Sequence, residues 1–433
     1  MTRFVCRPGG NLSGNIRVPG DKSISHRSII LSSIAEGSSH ISGFLEGEDS
    51  LNTIRAFEHL GVTIERDQDQ VRVTGAGMHG LRKPETDLDM GNSGTAMRLL
   101  LGLLAGQVFD SRLIGDSSLS SRPMGRVIEP LQSMGAIIES EPGGRAPLQI
   151  RGTQGLKAIE YDMPVASAQV KSCLLLAGLY AQGTTVVREP APTRDHSERL
   201  LRGFGCDVYS DDSGISIKGN QSLKACDLEI PADISSAAFF MVAASIADNS
   251  DITLKHVGVN PTRTGVIEIL ELMGADIDLI NPRNVSGEPV ADIRVRCAGL
   301  KGIDIPLHLV PLAIDEFPVL FIAAACANGT TRLSGAGELR VKESDRIQVM
   351  ADGLVAMGID AQAQADGIII QGGEIAGGAV DSHGDHRIAM AFSVASLRAR
   401  DDIHIDDCDN VNTSFPGFVK LAREAGIRVS IDE

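Results

Sequence analysis

The sequence has no tryptophan and only three tyrosines, so its cores cannot rest on large aromatic side chains. With 42% hydrophobic residues, aliphatic and alanine-rich helix packing has to supply the burial. Cysteines number seven (Cys6, Cys173, Cys206, Cys226, Cys297, Cys326, Cys408), an odd count with no C-x-x-C pair. That spacing argues against a disulfide framework or a zinc site and leaves small buried hydrophobes. Positive charge is in deficit, 40 Lys plus Arg against 56 Asp plus Glu, for a formal charge of −16. A nucleic-acid or anionic-membrane partner is therefore not expected, and any basic cluster is a local feature. Long apolar runs are also missing: Leu99–Ala105 and Val319–Ala327 are too short to span a bilayer, and Met1-Thr2-Arg3-Phe4 starts no signal-peptide pattern. These absences together lead us to expect a soluble cytoplasmic protein.

What the chain does contain is repetition. At 433 residues it is too long for one ordinary core, and two domains are expected. A helix end, a glycine and an alternating strand recur at His59-Leu60-Gly61-Val62, Ser133-Met134-Gly135-Ala136, Gly203-Phe204-Gly205-Cys206, Leu272-Met273-Gly274-Ala275, Ala356-Met357-Gly358-Ile359 and Glu424-Ala425-Gly426-Ile427. That makes six copies about seventy residues apart. Glycine after the last apolar turn suits the left-handed conformation that ends a helix. A second element, a polar start followed by an Ala/Leu/Ile-rich helix, interleaves with the first at Lys22–Ala35, Asn92–Ala105, Ser167–Ala181, Ser235–Ala247, Asp315–Ala327 and His386–Ala399. Alternating pieces such as Val71–Gly75 and Ile368–Gly372 fall between them, so the repeated unit is an α/β sandwich fragment. The N-terminus carries only strands, Phe4–Arg7 and Asn15–Val18, and the last copy stops at Val429–Ile431. The N-terminal segment is therefore expected to complete the last unit. Two globes of three units and one closed ring of six both satisfy this count.

The starts of the six helices carry the chemistry. In Pro19-Gly20-Asp21-Lys22-Ser23-Ile24-Ser25-His26-Arg27-Ser28, Asp21 or Ser23 can cap, yet Lys22, His26 and Arg27 crowd the end of the helix dipole where cations are disfavoured. An anion held by Lys22, Ser23, Arg27 and free backbone N–H groups explains the crowding; a capped helix with solvated basic residues is the plain alternative. Gly91-Asn92-Ser93-Gly94-Thr95-Ala96-Met97-Arg98 exposes backbone at two glycines and adds an amide, hydroxyls and a guanidinium, as an anion cradle or a simple cap would. Ser167 and Gln169 offer neutral donors, Asp233 reads as a cap, and Asp385-His386-Arg387 repeats the misplaced cations of the first start. Asp315-Glu316 suits the dipole as a cap, or supplies a general base beside bound anions. Arg122 precedes a proline and so is expected on extended or turn backbone, with a solvated surface arginine as the plain alternative. Thr193-Arg194-Asp195-His196 marks a further helix start, with Thr193 or Asp195 as its cap. Glu338–Arg346 reads as helical, which would place the like-charged Lys342 and Arg346 on one face, a repulsion that an anion relieves. Helices aimed at one cleft would collect Lys22, Arg27, Arg98, His386 and Arg387 there.

Taken in order, Pro19-Gly20-Asp21-Lys22-Ser23, Gly91-Asn92-Ser93-Gly94-Thr95, Arg122-Pro123-Met124-Gly125, Val341-Lys342-Glu343-Ser344-Asp345-Arg346 and Asp385-His386-Arg387 closely resemble the signatures of the 5-enolpyruvylshikimate-3-phosphate synthase family. The resemblance implies an α/β fold of two globular domains, each of three repeated units in pseudo-threefold arrangement, with helix N-termini facing the inter-domain cleft. Residues 1–20 and 236–433 would form a discontinuous domain holding the termini, and 21–235 the inserted one. It further implies transfer of the enolpyruvyl group of phosphoenolpyruvate to the 5-hydroxyl of shikimate 3-phosphate, with release of phosphate, by a monomer that uses no metal or organic cofactor. By matching position, Lys22, Ser23, Arg27, Ser167, Ala168, Gln169, Arg194, Asp315 and Lys342 would hold shikimate 3-phosphate. Lys22, Gly94, Arg122, Gln169, Arg346, His386 and Arg387 would hold phosphoenolpyruvate. Asp315 would take the proton of the 5-hydroxyl, Glu343 would protonate the methylene carbon, and Lys22 would help expel phosphate. Alanine at Gly94 would confer tolerance to glyphosate, an inhibitor slightly longer than the donor.

The chain departs from one branch of that family: Ala168 replaces a second Ser, Glu338 an Asn, Thr413 a phosphate-contacting Lys, and Thr193-Arg194 a Ser/Tyr pair. A UDP-N-acetylglucosamine enolpyruvyl transferase, the nearest rival, carries a reactive Cys before its Arg-Pro, and Asp116–Arg122 has none. A non-catalytic anion-binding repeat protein, a rival of another class, has no need of Asp315 and Glu343 beside the cations.

Overall fold

The computed structural model describes residues 2–153, 155–211 and 213–432 and is mixed α/β. It divides into two compact units, one of Met1–Pro19, Pro231–Asn284 and Pro289–Glu433, the other of Gly20–Ile230 and Val285–Glu288. Three buried helices, Lys22–Ser33, Gly94–Leu104 and Ala168–Gly178, belong to the second, inserted unit. Ile234–Ile246, Phe317–Ala325 and His386–Ala395 belong to the unit that holds the termini. These helices lack a polar stripe: every residue of Ile234–Ile246 is buried, which a helix tolerates only when neighbours surround it. Close approach is built in at Gly102, where a Cβ would stand 2.2 Å from the carbonyl oxygen of Cys173 on the neighbouring helix. All six repeat glycines, Gly61, Gly135, Gly205, Gly274, Gly358 and Gly426, have positive φ, between 85° and 114°, as a helix-ending residue must.

After five of the six buried helices the chain reaches a strand that is second from one edge of its sheet; Thr330–Leu333, after Phe317–Ala325, is instead the edge strand of a three-stranded sheet. Ser111–Ile114 shows the plan: it runs antiparallel to Arg145–Arg151, with Leu113 opposite Leu148, and parallel to the short edge strand Leu88–Asp89 from the preceding repeat. Thr184–Arg188 is flanked in the same way by Gly214–Lys218 and Glu160–Asp162. For Ala35–Ser42 the parallel edge comes from Leu223–Lys224 and Leu228–Glu229, the tail of the third repeat, so the inserted unit closes on itself. The other unit closes through the N-terminus. Arg3–Cys6 lies between Ile403–Asp406 and Val429–Asp432, with Phe4 opposite both Ile405 and Ile431, and so supplies the hairpin strand the last repeat lacks. Ser13–Ile16 then forms the parallel edge of Asp251–Gly258. Closure by threes, not by six, follows from these pairings. Rings of Phe4, Phe239, Phe240, Phe415 and Phe418 pack at centroid distances of 5.4–6.4 Å and tie the N-terminal strand, a buried helix and the C-terminal segment into one core.

The second crossover falls at Ile230–Pro231, ahead of the Ile234–Ile246 helix and not within its first turn as the boundary at 235/236 supposes. Asp233 explains this: its side chain caps the N–H of Ser235 at 2.8 Å and its own N–H donates to Pro19 O at 2.9 Å, holding that helix start with the terminal segments. Residues 285–288, the turn between strands Asp276–Val285 and Glu288–Arg296, pack with the inserted unit, which no sequence pattern signals. Among the described residues no helix is long and apolar enough to cross a membrane.

Candidate functional site

In the inserted unit the first turns of the three buried helices adjoin. Asp21 accepts from the N–H of Ile24 at 2.8 Å and starts the first helix at Lys22, whose Nζ lies 2.7 Å from Asp49 Oδ2. Arg27 is only 4% exposed. Its Nε donates to Ser197 Oγ and its Nη2 to Ser172 Oγ, both at 2.7 Å, and its Nη1 donates to the carbonyl of Ser23 at 3.0 Å. All three acceptors are neutral. Burial pushes this guanidinium down to about 10; Glu198 and Asp21 act in the opposite sense, and the charge of Arg194 adds to the lowering. A cation held among hydroxyls, with a second guanidinium in its field, gains from a bound anion.

Ser167 caps the third helix through the N–H of Val170 at 3.4 Å, and Ala168 opens that helix. Gln169 next to it donates to Thr95 Oγ1 at 2.9 Å and accepts from Arg98 Nη1 at 2.7 Å, joining the third helix start to the second. Arg122 leaves a short helix on extended backbone (φ −79°, ψ 136°) and donates to Asn92 Oδ1 at 2.7 Å and Ser118 Oγ at 3.1 Å. Gly94 faces this group: a Cβ there would stand 2.9 Å from Arg98 Nη1 and 3.5 Å from Arg122 Nη1. Arg194 precedes the His196–Gly203 helix, and neither Thr193 nor Asp195 caps it. Thr193 Oγ1 donates to Glu189, and Asp195 accepts from Arg199 Nε at 2.9 Å.

His26 does not belong with the cations. It is fully buried between Thr53 Oγ1, 2.7 Å from its Nδ1, and Ser93 Oγ, 3.5 Å from its Nε2. Burial, reinforced by Lys22 and Arg27, lowers it to about 3, so it is a neutral tie between helix starts. An unfolded histidine titrates near 6.5, so between about 6.5 and 3 the unfolded chain binds the extra proton. The stability this histidine confers is complete above 6.5 and is lost as pH falls, by at most about 1.4 kcal/mol per unit. Urea unfolding of His26→Gln, which keeps a partner for Thr53, should show a shallower loss than wild type between pH 6 and 4. Equal slopes would mean that His26 does not govern the acid limb.

In the unit that holds the termini, Asp315 precedes the Phe317–Ala325 helix and does not cap it; the N-cap position is Glu316, which makes no side-chain cap bond. Asp315 Oδ1 instead lies 3.4 Å from Arg346 Nη1 and 3.5 Å from Lys342 Nζ. Arg346 is 1% exposed; its Nε donates to Asp385 Oδ2 at 2.8 Å and its Nη2 to Glu343 Oε2 at 2.6 Å and Asp385 Oδ1 at 3.3 Å. Burial alone would lower its proton affinity, but Asp385, Glu343 and Asp315 outweigh it and hold the guanidinium above the ordinary arginine range. Asp385, itself fully buried, also caps the last helix by accepting from the N–H of Arg387 at 3.0 Å. His386 is the first residue of that helix and is buried. Arg387 Nη1 donates to the carbonyl of Asp315 at 2.8 Å and lies 3.7 Å from Glu316 Oε1.

The single helix read across Glu338–Arg346 is not formed. A 3-10 turn, Gly337–Val341, is followed by a break, and the helix restarts at Arg346 with Asp345 as its cap. Lys342, Glu343 and Ser344 occupy the break, and the carboxylate of Asp315, not helical spacing, brings Lys342 and Arg346 together. The sequence reading missed the buried carboxylates Asp49, Asp385 and Glu316 as partners of the cations. Acidic residues at helix starts read as caps, and their second role is visible only once the facing arginine is placed.

Each unit therefore presents basic and hydroxyl groups at adjoining helix starts, and one adds carboxylates around a buried guanidinium. The class is that of an α/β repeat protein with helix starts suited to anions in each unit and acid–base groups in one. A family model described as EPSP synthase (3-phosphoshikimate 1-carboxyvinyltransferase) matches residues 6–421, and the chain belongs to this family. It is 64% identical over 429 residues to the 3-phosphoshikimate 1-carboxyvinyltransferase of Alkalilimnicola ehrlichii, covering 99% of this chain and 96% of the relative. It is 62% identical over 429 residues to that of Methylococcus capsulatus, covering 99% and 98%. A solved structure of EPSP synthase from Acinetobacter baumannii, 55% identical, superposes with a TM-score of 0.91 over 100% of both chains.

Proposed function

We propose that the helix-start residues of both units act on one pair of substrates, phosphoenolpyruvate and shikimate 3-phosphate. The reaction is that of the family: the 5-hydroxyl oxygen of shikimate 3-phosphate bonds to C2 of phosphoenolpyruvate, the C2–oxygen bond to phosphate breaks, and phosphate leaves. It serves aromatic amino acid biosynthesis through the shikimate pathway. Addition makes a tetrahedral intermediate, with a proton added to the methylene carbon and removed again on elimination. Two multiply charged anions repel, so cations and helix ends have to hold them in contact before chemistry begins. Lys22, Ser23, Arg27, Ser167, Ala168, Gln169, Arg194 and Lys342 hold shikimate 3-phosphate, while Lys22, Gly94, Arg122, Gln169, Arg346, His386 and Arg387 hold the donor. Asp315 takes the hydroxyl proton, Glu343 protonates the methylene, and Lys22 stabilises the departing phosphate.

The observation that carries this reading is the environment of Arg346. Asp315 and Glu343, 16% and 26% exposed, flank its buried guanidinium. Carboxylates weaken a site whose only task is to bind anions, whereas an acid–base enzyme requires them. The loop before Arg122 forms a short helix capped by Asp116 through the N–H of Leu119 at 2.7 Å and contains no cysteine, against the UDP-N-acetylglucosamine reaction. Phosphate release on mixing the chain with phosphoenolpyruvate and shikimate 3-phosphate tests the reading. Release only with UDP-N-acetylglucosamine, or binding of both substrates without release, would overturn it. We further propose that the enzyme works in the cytoplasm as a monomer, in keeping with the assignment of both substrates' ligands to one chain.

Gly94 provides a narrower test. Alanine favours a helix more than glycine does, so Gly94→Ala should melt no lower than wild type. Its methyl would press on Arg98 and touch Arg122 at van der Waals distance. A ligand reaching beyond the donor's length should lose more there, with glyphosate inhibition weakened at least about tenfold and the phosphoenolpyruvate KM raised less. Equal losses for the two ligands would refute the steric account.

A further inference from the structure

The segment that carries Arg194 and Ser197 is not positioned by local rules. Its helix, His196–Gly203, has no side-chain cap, and the first turn is instead held by buried charge from distant segments. Lys171 lies 2.8 Å from Glu189 and from Glu198, and donates to the carbonyl of Thr193 at 3.4 Å. On the opposite side stands Glu288, from the turn of the 276–296 hairpin that packs with the inserted unit. Its Oε1 is 2.7 Å from His196 Nδ1, with the two side chains only 3% and 2% exposed, and its Oε2 is 3.9 Å from Arg199 Nε. The same turn accepts from Arg199 Nη1 at the carbonyl of Gly287, 3.0 Å, and Ser286 Oγ accepts from the N–H of Glu229 at 2.9 Å.

We propose that Glu288 is a positioning residue for the shikimate 3-phosphate end of the site, acting through His196 and Arg199 on the segment that presents Arg194 and Ser197. The proposal rests on the reading of Arg27 and Arg194 as ligands of that substrate. The chain of contact is short. Glu288 fixes the ring of His196; the next residue, Ser197, accepts from Arg27 Nε at 2.7 Å and donates to Ser172 Oγ at 2.8 Å, the other hydroxyl that Arg27 uses. His196 Nε2 has no hydrogen-bond partner among the described residues, so Glu288 supplies the one bond that orients the ring. The charge of Glu288 also acts on Arg27 directly, favouring its charged form. Removing the carboxylate frees the ring, lets the first turn of the helix shift and changes the field at both guanidiniums. Among the described residues, none assigned to the donor makes one of these contacts.

Steady-state kinetics of the full chain with each substrate varied, and calorimetry with shikimate 3-phosphate alone, test the role. Glu288→Ala should raise the KM and Kd for shikimate 3-phosphate about ten- to a hundredfold, since a shift of about 1 Å in a positioned group costs that much. The phosphoenolpyruvate KM at saturating shikimate 3-phosphate should stay within about twofold. Glu288→Gln keeps the shape and an acceptor for His196 and should recover most of the loss; it also carries the test if the alanine variant does not fold. Unchanged affinity for shikimate 3-phosphate, an equal rise in both KM values, or a lowered melting temperature with both KM values unchanged overturns the positioning role. The wild-type chain assayed alongside separates the two layers. If it neither binds shikimate 3-phosphate nor releases phosphate, the reading of the site fails and takes the proposal with it. If wild type turns over normally and the variants match it, only the role of Glu288 fails.

Discussion

Asp315→Asn should melt close to wild type, still bind shikimate 3-phosphate, and turn over at least about a hundredfold more slowly, the low end of what general-base catalysis contributes. The structure weakens the competing explanation for this aspartate, because it is not the N-cap: the helix begins at Phe317 with Glu316 in that position. What the substitution gives up in the folded state is attraction to Arg346 and Lys342 at 3.4 and 3.5 Å. Arg346 keeps Asp385 and Glu343 as closer partners, so its burial stays compensated. Asparagine fills the same volume but cannot take the hydroxyl proton. Binding of two anions should not suffer from the loss of a negative charge beside them. Thermal melting, calorimetry and phosphate release on one preparation would decide the matter, and turnover near wild type would remove Asp315 from the mechanism.

Two of the buried arginines, Arg27 and Arg346, should respond in opposite ways to replacement by methionine. Arg346→Met strands Asp385, which is fully buried, and takes the guanidinium from Glu343 and Asp315. Breaking a buried pair from one side costs about 3–5 kcal/mol, and for units of this size that lowers the melting temperature by on the order of 10 °C. Arg27→Met strands nothing. Ser197 Oγ and Ser172 Oγ already bond to each other at 2.8 Å, and Ser172 Oγ also donates to the carbonyl of Ala168 at 2.6 Å. Since burial works against the charge of Arg27 in the folded chain, an apolar side chain of similar length should leave the melting temperature unchanged or raise it. Affinity for shikimate 3-phosphate should nonetheless fall about a hundredfold, the loss of a buried charged partner. If Arg27→Met unfolds the protein while Arg346→Met does not, the contrast between them, with only Arg346 required by the folded chain, is reversed.

The six-fold repetition was legible in the sequence because its signals are local: a glycine that must take positive φ and an apolar helix with no polar face are set by backbone sterics and solvent alone. Those rules located all six helix ends and all six buried helices, and the missing strand of the last repeat pointed to the N-terminus. Misplaced cations at Lys22, Arg27 and Arg387 were legible for the same reason, as violations of the helix dipole. The sequence could not tell which charges compensate one another. His26 stands between two cations in the chain yet is a neutral tie to Thr53 and Ser93, because burial decides its protonation. Lys342 and Arg346 looked like neighbours on one helix, but a break separates them and Asp315, ahead of the Phe317–Ala325 helix, brings them together. Asp385 stood in the sequence only beside two misplaced cations, yet it caps their helix and clamps Arg346; Glu288 gave no signal at all, being 92 residues from His196. Local conformation depends on residues a few positions apart, which a sequence displays. Ion pairing and burial depend on which distant segments the fold brings within a few ångströms, and only the tertiary structure decided those.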